Sequence, residues 1–233
     1  MLGPAQHVNE LLTIKFLEAR GPTGEHVQRL NRALALARRA TADSVLYLRD
    51  PANADALYDS IRNEFFQGTR NRRHTVDILG TLALTAEGLH QQINISDVAG
   101  RGLTTEGFAD GYTHFSRGVA KSIHLEFMLL GVWSEHAIAR ILIHEATHKF
   151  ADTKDYAYMS DPDAWEVLTP SRSIKNADSY AYAALSFHAR KIVNFRTFIS
   201  AGGMPVPDLK ALAERGARSE LISASLAQAK AAR

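Results

Sequence analysis

The sequence predicts an α+β fold that is mostly helical, with a small sheet and one long, largely buried helix near its middle. Three observations support this prediction. Apolar residues recur with helical spacing over much of residues 5–90, segments 90–96 and 122–130 alternate like strands, and an apolar helix follows from residue 134. With 233 residues, of which 45% are hydrophobic, the chain is long enough to bury a core.

The predicted elements fall into three regions in chain order. Residues 1–90 are predicted to be a helical N-terminal scaffold or subdomain, and they contain no chemical motif. Residues 91–200 contain the strands and the central helix, while residues 201–233 begin with a Gly- and Pro-rich breaker and continue as a predicted helical tail. The helices predicted for the first region span residues 8–17, 27–36, 51–65 and 76–89.

The central helix carries the pentapeptide His144-Glu145-Ala146-Thr147-His148, an HExxH pattern. Ser134 is the predicted N-cap, and Glu135 suits the positive end of the helix dipole. Residues four apart lie one turn apart on the same face, so both imidazoles can reach one metal ion, with Glu145 beside them to polarise a water. The alternative is a pair of core histidines that hydrogen-bond to other residues, because buried polar groups need partners.

Two further segments follow the pentapeptide. Thr153, Asp155 and Tyr158 lie within the sequence DTKDYAY, and Asn176-Ala177-Asp178-Ser179-Tyr180 opens a predicted helix. In this order, the three motifs resemble those of the aspzincin metallopeptidases, the family that contains deuterolysin and the fungal peptidyl-lysine endopeptidases. The resemblance covers residues 122–190, about a third of the chain.

This resemblance implies a zincin-like α+β fold with residues 91–200 as its catalytic core and Zn²⁺ as its cofactor. The zinc ligands that it implies are His144, His148 and Asp155. Three protein ligands leave one position for water, as hydrolysis requires. Glu145 would act as general base, and Tyr158 would assist by donating a hydrogen bond to the developing oxyanion.

The loop after the central helix departs from the family pattern at two positions. Asp152 and Met159 stand where the family usually has glycine. Asp161 and Asp163 follow in the sequence Ser-Asp-Pro-Asp, and a solvated turn is the preferred interpretation of these two acids over rival metal ligands.

Asp178 has two candidate roles. Either Asn176 or Asp178 could cap the helix that begins here, or could orient a zinc-binding histidine. By resemblance, Asp178 could instead line the substrate-binding pocket for the residue that follows the scissile bond and favour a basic side chain there. Lysine-selective members of the family carry a further acid where this chain has Ala181, so strict lysine specificity is not predicted.

The strand predicted at 122–130 comes just before the central helix, where zincins, by resemblance, place the edge strand that binds substrate. An extended peptide can add to such an edge through main-chain hydrogen bonds. His124 and Glu126 would then face the cleft, or else they are ordinary polar residues on the outer face of the sheet.

Composition excludes several classes of function. The net charge of +2 does not indicate nucleic-acid binding, and the absence of cysteine excludes a disulfide framework and Cys-ligated zinc. No apolar run is long enough to span a membrane, and the N-terminus lacks the organisation of a signal peptide. We therefore expect a soluble protein made in the cytoplasm, and hypothesise an effector or toxin domain delivered out of the cell.

The predicted function is a zinc-dependent endopeptidase that acts on peptide or protein substrates, with an inhibitor or immunity protein as a further expected partner. Two alternatives stay open: a zinc amidase acting on peptidoglycan crosslinks, and a non-catalytic binding protein with a residual zinc site. The joint presence of Glu145, Asp155 and Tyr158 argues against the second alternative, because decay would be expected to lose the catalytic acid or base first.

Overall fold

The computed structural model describes residues 6–9, 12–15, 23–50, 65, 72–97, 103–104, 107–108, 111–113, 121–127, 130 and 133–192. Apart from Phe65, the helix predicted for residues 51–65 lies outside the described residues, as does the predicted tail at 201–233. No helix in the described ranges is long and apolar enough to cross a membrane.

The described elements confirm the predicted α+β class, with long helices and a small sheet. In chain order they are β1 (Gln6–Asn9), β2 (Leu12–Lys15), α1 (Gly24–Arg49), α2 (Arg72–Leu89), β3 (Ile93–Asp97), β4 (Leu103–Thr104), β5 (Gly107–Phe108), β6 (Gly111–Tyr112), β7 (Ile123–Leu125), α3 (Glu135–Ala151), α4 (Pro162–Glu166), α5 (Pro170–Ser173) and α6 (Ala177–Ile192). The helix that carries the HExxH pattern is therefore α3.

The main sheet has the strand order β1-β2-β3-β7-β6. Its three central strands are parallel, and the outer strands β1 and β6 pair antiparallel with their neighbours. Ile95 of β3 lies opposite Ile123 of β7, and both side chains are fully buried. The sheet and the long helices thus contribute to one hydrophobic core.

The helix predicted for residues 8–17 is wrong, because this segment contains β1 and β2. The four-residue spacing of Val8 and Leu12 fits a helix turn, but it also fits two short antiparallel strands. Leu12 is fully buried and lies opposite Ile93 in a parallel pairing of β2 with β3. A partner some eighty residues away therefore decides the conformation of this segment.

The strand before the central helix is also not the sheet edge that the sequence predicted. β7 lies between β3 and β6, so β6 forms this edge in the part of the chain that is described. Glu126, just after β7, is only 1% exposed, and His124 is half-buried. The edge position is set by β6, a strand of two residues within a segment, 107–118, that the sequence predicted as loop or hairpin.

The two helices of the front half, α1 and α2, pack directly against α3. Arg29 of α1 donates hydrogen bonds to the carbonyl oxygens of Leu130 and Trp133, at 3.1 and 3.2 Å. Arg32 pairs with Glu135 in the first turn of α3 at 2.6 Å. These contacts anchor the chain where it enters the motif helix. The division into regions 1–90, 91–200 and 201–233 stays a prediction.

Candidate metal centre

The limits of α3 are set by local hydrogen bonds. Ser134 is the N-cap, as predicted, and its Oγ accepts a hydrogen bond from the Ala137 N–H at 3.1 Å. The helix ends at Asp152, which has a left-handed backbone with φ 55° and donates its N–H to the carbonyl oxygen of Thr147. This conformation favours glycine and is tolerated by aspartate, which explains why a glycine is usual at this position of the motif.

Three side chains predicted as ligands converge, two from this helix and one from the loop that follows it. His144 Nε2 lies 3.0 Å from Asp155 Oδ1, His148 Nε2 lies 3.1 Å from the same oxygen, and the two Nε2 atoms are 3.1 Å apart. Nitrogen and oxygen ligands of a tetrahedral zinc ion at 2.0–2.1 Å would be separated by about 3.3 Å. Among the described residues, this is the one group of histidine and acidic side chains that could hold a metal.

The histidine tautomers test whether a cation fits this site. His144 Nδ1 is 2.8 Å from a carboxylate oxygen of Asp178, and His148 Nδ1 is 2.8 Å from the carbonyl oxygen of Thr153. Both partners only accept hydrogen bonds, so each neutral ring carries its proton on Nδ1 and presents an Nε2 lone pair. Two lone pairs and the Asp155 carboxylate then face one another, an arrangement that requires a shared cation.

The surroundings of these donor atoms favour positive charge. Burial lowers the pKa of His144, but the hydrogen bonds to Asp155 and Asp178 outweigh it and raise that pKa to about 10. Asp155 shows the complementary effect: burial raises its pKa, but its hydrogen bonds to both histidines bring it well below the usual range. The donor set thus attracts positive charge strongly, and the residues present fit a zinc ion.

Glu145 is buried beside the first histidine and is 3% exposed. Its Oε2 atom is buried and has no hydrogen-bond partner within the described ranges. Burial raises the pKa of Glu145 to about 7, against the opposing effect of the two histidines. A carboxyl group with a pKa near neutrality can both take up and release a proton at physiological pH.

Tyr158 lies at the open side of the donor group and is 46% exposed. Its ring stacks on the His144 ring, with the centroids 5.8 Å apart and the planes 13° apart. Partial burial raises the pKa of its phenol above the ordinary value, and the nearby negative charge of Asp155 raises it further. The hydroxyl therefore remains protonated and can donate a hydrogen bond at neutral pH.

Asp178 is 1% exposed, and both of its carboxylate oxygens have partners. One oxygen accepts from His144 Nδ1 at 2.8 Å and from Arg140 at 3.1 Å, and the other accepts from the Met159 N–H at 2.9 Å. These are the contacts expected of a group that orients a histidine. The alternative role, in a substrate pocket, stays a prediction.

Asn176 fixes the loop that carries the third donor. Its Oδ1 accepts from the N–H groups of Tyr156 and Ala157, at 2.9 and 3.1 Å, and its Nδ2 donates to the carbonyl oxygen of Ala157 at 3.0 Å. The backbones of Lys154 and Asn176 also form a parallel bridge. The third motif thus holds the second in place. For Asn176, the sequence had predicted only capping of the helix or orientation of a histidine.

Two polar residues near the site were missed by sequence reasoning. Arg140 lies one turn before His144, so its position on the helix face was the available signal for its pairing with Asp178. Thr147 lies inside the pentapeptide, and its hydroxyl contacts that of Thr153 at 2.7 Å. Both motifs had been identified, but the contact between their threonines had not.

The acids after Tyr158 have the ordinary role that was preferred for them. Asp161 is the N-cap of α4, and its Oδ1 accepts from the Ala164 N–H at 3.2 Å. Asp163 is exposed in the first turn of the same helix. Neither belongs to the group of side chains that could hold a metal.

Comparison with known proteins agrees with this geometry. Residues 109–184 match the aspzincin family model, which is described as lysine-specific metallo-endopeptidase. A zinc peptidase from Grifola frondosa is similar in structure, with a TM-score of 0.53 and 19% identity over 70% of this chain and 96% of that chain. That likeness shows the fold, and no curated protein matches the chain. Residues 109–184 are therefore similar to the aspzincin family, and this similarity supports a zinc metalloendopeptidase.

Proposed function

We propose that this enzyme cleaves peptide bonds within protein substrates by attack of a water molecule, with Glu145 as general base and His144, His148 and Asp155 as the zinc ligands. The observation that carries the proposal is the triangle of three donor atoms, 3.0–3.1 Å apart, beside a buried carboxylate oxygen without a partner. A Zn²⁺ ion bound there supplies Lewis-acid activation of water and of the scissile carbonyl.

Glu145 carries the proton in this mechanism. Its unpaired Oε2 accepts the proton of the attacking water, and the same carboxyl group then delivers that proton to the departing amine. Burial raises the pKa of Glu145, which favours uptake of this proton by its carboxylate. The buried position also keeps the carboxylate from being screened by bulk water.

Tyr158 acts on the other side of the scissile bond. Its phenol is half-exposed and hydrogen-bonds to Asp155, while stacking on His144 fixes the ring. The hydroxyl donates a hydrogen bond to the substrate carbonyl oxygen as negative charge develops there. One such donor is worth about 3 kcal/mol of transition-state stabilisation.

The sheet edge at β6 is the surface that we assign to the substrate backbone. β6 pairs with β7 on one side, and among the described residues no strand pairs with its other side. It also contacts α3, the helix that carries the metal donors. An extended peptide added to β6 would therefore lie along the side of the sheet next to the motif helix.

Digestion of unfolded casein by zinc-loaded protein tests this function, with the new peptide ends identified by mass spectrometry. Glu145→Gln is the matched control, since it keeps the shape of the side chain but cannot accept the proton. We expect cleavage by the wild type only, and equal zinc content in both proteins. Cleavage by the zinc-loaded Gln variant at the wild-type rate would refute the role of Glu145.

The same experiment separates the alternatives. No casein cleavage by a protein with bound zinc would favour a narrower substrate, such as the amide of a peptidoglycan crosslink. No zinc binding at all would refute the metal site. The identity of the residue after each cut reports on specificity, and a basic residue there would support the substrate-pocket role of Asp178. The effector role and the immunity partner stay predictions from the sequence.

A further inference from the structure

We propose that the hydroxyl groups of Thr147 and Thr153 form a positioning pair that sets the tautomer of His148 and joins the second zinc ligand to the third. This inference rests on the metal site of the proposed function, and it adds two residues to which no role has been assigned. Both threonines are buried, at 0% and 5% exposure, so bulk water does not compete for their hydroxyls.

The direction of each hydrogen bond in this pair follows from its acceptors. Thr147 Oγ1 is 2.7 Å from the carbonyl oxygen of His144, which can only accept, so the Thr147 hydroxyl proton is used there. Thr153 Oγ1 lies 2.7 Å from Thr147 Oγ1 and must therefore be the donor to it. The two hydroxyls thus form a chain that runs from Thr153 through Thr147 to the helix backbone.

Because the Thr153 hydroxyl donates to Thr147, its oxygen presents only lone pairs to His148. His148 Nδ1 is 3.2 Å from Thr153 Oγ1 and 2.8 Å from the carbonyl oxygen of the same residue. Two acceptors on one side of the ring require a proton on Nδ1. The Nε2 lone pair then faces the other two ligand atoms of the metal site, on His144 and Asp155. If Thr153 instead turned its hydroxyl proton towards His148, the wrong tautomer would be stabilised. Thr147 prevents this by accepting that proton.

The pair also fixes the position of the third ligand. The Thr147 carbonyl oxygen accepts from the N–H groups of both Asp152 and Thr153, the latter at 3.4 Å. Together with the hydroxyl contact, these hydrogen bonds join Thr153 to the last turn of α3 through both backbone and side chain. Thr153 lies two residues before Asp155. Movement of Thr153 would therefore displace the acceptors of His148 and the carboxylate of Asp155 together.

The two histidines are thus held in the same tautomer by different chemistry. His144 donates to the charged carboxylate of Asp178, whereas His148 donates to neutral oxygens of Thr153. A charged acceptor holds a ring firmly by itself, while neutral acceptors depend on how well they are placed. We expect His148 to be the histidine whose geometry depends on a hydroxyl.

The test compares isosteric and conservative variants at each threonine. Thr147→Val and Thr153→Val keep the branched shape and remove the hydroxyl, whereas Thr147→Ser and Thr153→Ser keep the hydroxyl. Zinc affinity is measured by competition with a chromophoric chelator, and ligand geometry by the visible spectrum of the cobalt-substituted protein. We expect the Val variants to bind zinc roughly ten- to a hundredfold more weakly, with a changed cobalt spectrum, and the Ser variants to stay near wild type.

Several outcomes would overturn the proposal. Val variants with wild-type zinc affinity and cobalt spectrum would show that the hydroxyls do not position the ligands. Equal losses in the Val and Ser variants would point to packing, as would an affinity loss with an unchanged cobalt spectrum. Wild-type protein that binds neither metal would instead refute the proposed function, and this is measured first so that the two failures remain distinct.

Discussion

Gly88, near the end of α2, provides a sharp test of how the front half of the chain supports the metal site. A Cβ atom added at this position would lie 2.3 Å from two atoms of the Phe150 ring and 2.6 Å from a third. Phe150 is on the motif helix, two residues after His148, and is 4% exposed. The helices α2 and α3 therefore pack closely at a point where only glycine fits.

The size of the effect follows from this overlap. Ordinary contacts between carbon atoms lie at about 3.5–4.0 Å, so in Gly88→Ala the ring or one of the helices must move by more than an ångström. Overpacking of this kind costs about 1–3 kcal/mol, and the better helix propensity of alanine returns about 0.5–1 kcal/mol. We expect Gly88→Ala to lower the free energy of unfolding by about 1–2 kcal/mol.

Gly80 lies on the same helix and is the matched control. A Cβ there would have no atom within 4 Å, so Gly80→Ala should stabilise the protein by about 0.5–1 kcal/mol. Because the backbone effect is common to both variants, the difference between them isolates the contact with Phe150. Each kcal/mol corresponds to a Tm shift of about 2–4 °C for a domain of this size.

The assay is thermal unfolding followed by circular dichroism at one fixed concentration of free zinc, since bound metal also shifts the Tm. Gly88→Ala should unfold below wild type and Gly80→Ala above it. If the two variants shifted the Tm equally and upwards, α2 would not pack on α3 as described. The front half would then be a separable subdomain rather than a support of the motif helix.

Three predictions concern the site itself. Tyr158→Phe should lose roughly a hundredfold in kcat while retaining zinc; loss of the metal instead would indicate a structural role. Asp155→Ala should lose more zinc affinity than the roughly ten- to hundredfold lost when a residue that only hydrogen-bonds to a ligand is replaced. Unchanged affinity in chelator competition would point to Asp152, Asp161 or Asp163 as the ligand. Asp178→Asn should weaken zinc binding by roughly ten- to a hundredfold in the same assay, because its charge holds His144; unchanged affinity would favour the substrate-pocket role.

The parts of this protein that the sequence predicted are those whose cause is local. The cap at Ser134, the one-turn spacing of the two histidines and the alternation in β3 each depend on residues within a few positions of one another. The helix predicted at residues 8–17 failed because both alternatives satisfied the local pattern. Pairing of β2 with β3 decided between them. Because that pairing joins residues about eighty positions apart, the local sequence does not indicate it.

The roles of the polar residues divide in the same way. HExxH was identifiable from its own residue types and spacing, whereas Asp155 was predicted as a ligand only through the family resemblance. Asp178 could only be given two roles, because the choice depends on whether its carboxylate reaches His144, 34 residues earlier in the chain. Thr147 had no visible role at all, since a threonine in a helix is unremarkable until its partner, Thr153, is known.

Asn176 contacts the loop after α3 through backbone groups of that loop. Asn176 holds Tyr156 and Ala157 through their N–H groups, which every residue except proline provides. Asn176 therefore does not constrain the residue type at these two positions. The side chain that makes the contacts is constrained, because it accepts from two N–H groups through Oδ1 and donates to the Ala157 carbonyl oxygen through a separate atom, Nδ2. Asn176→Asp would keep the acceptor but lose this donor, so the carboxylate would face a carbonyl oxygen, and the loop that carries Asp155 would be displaced.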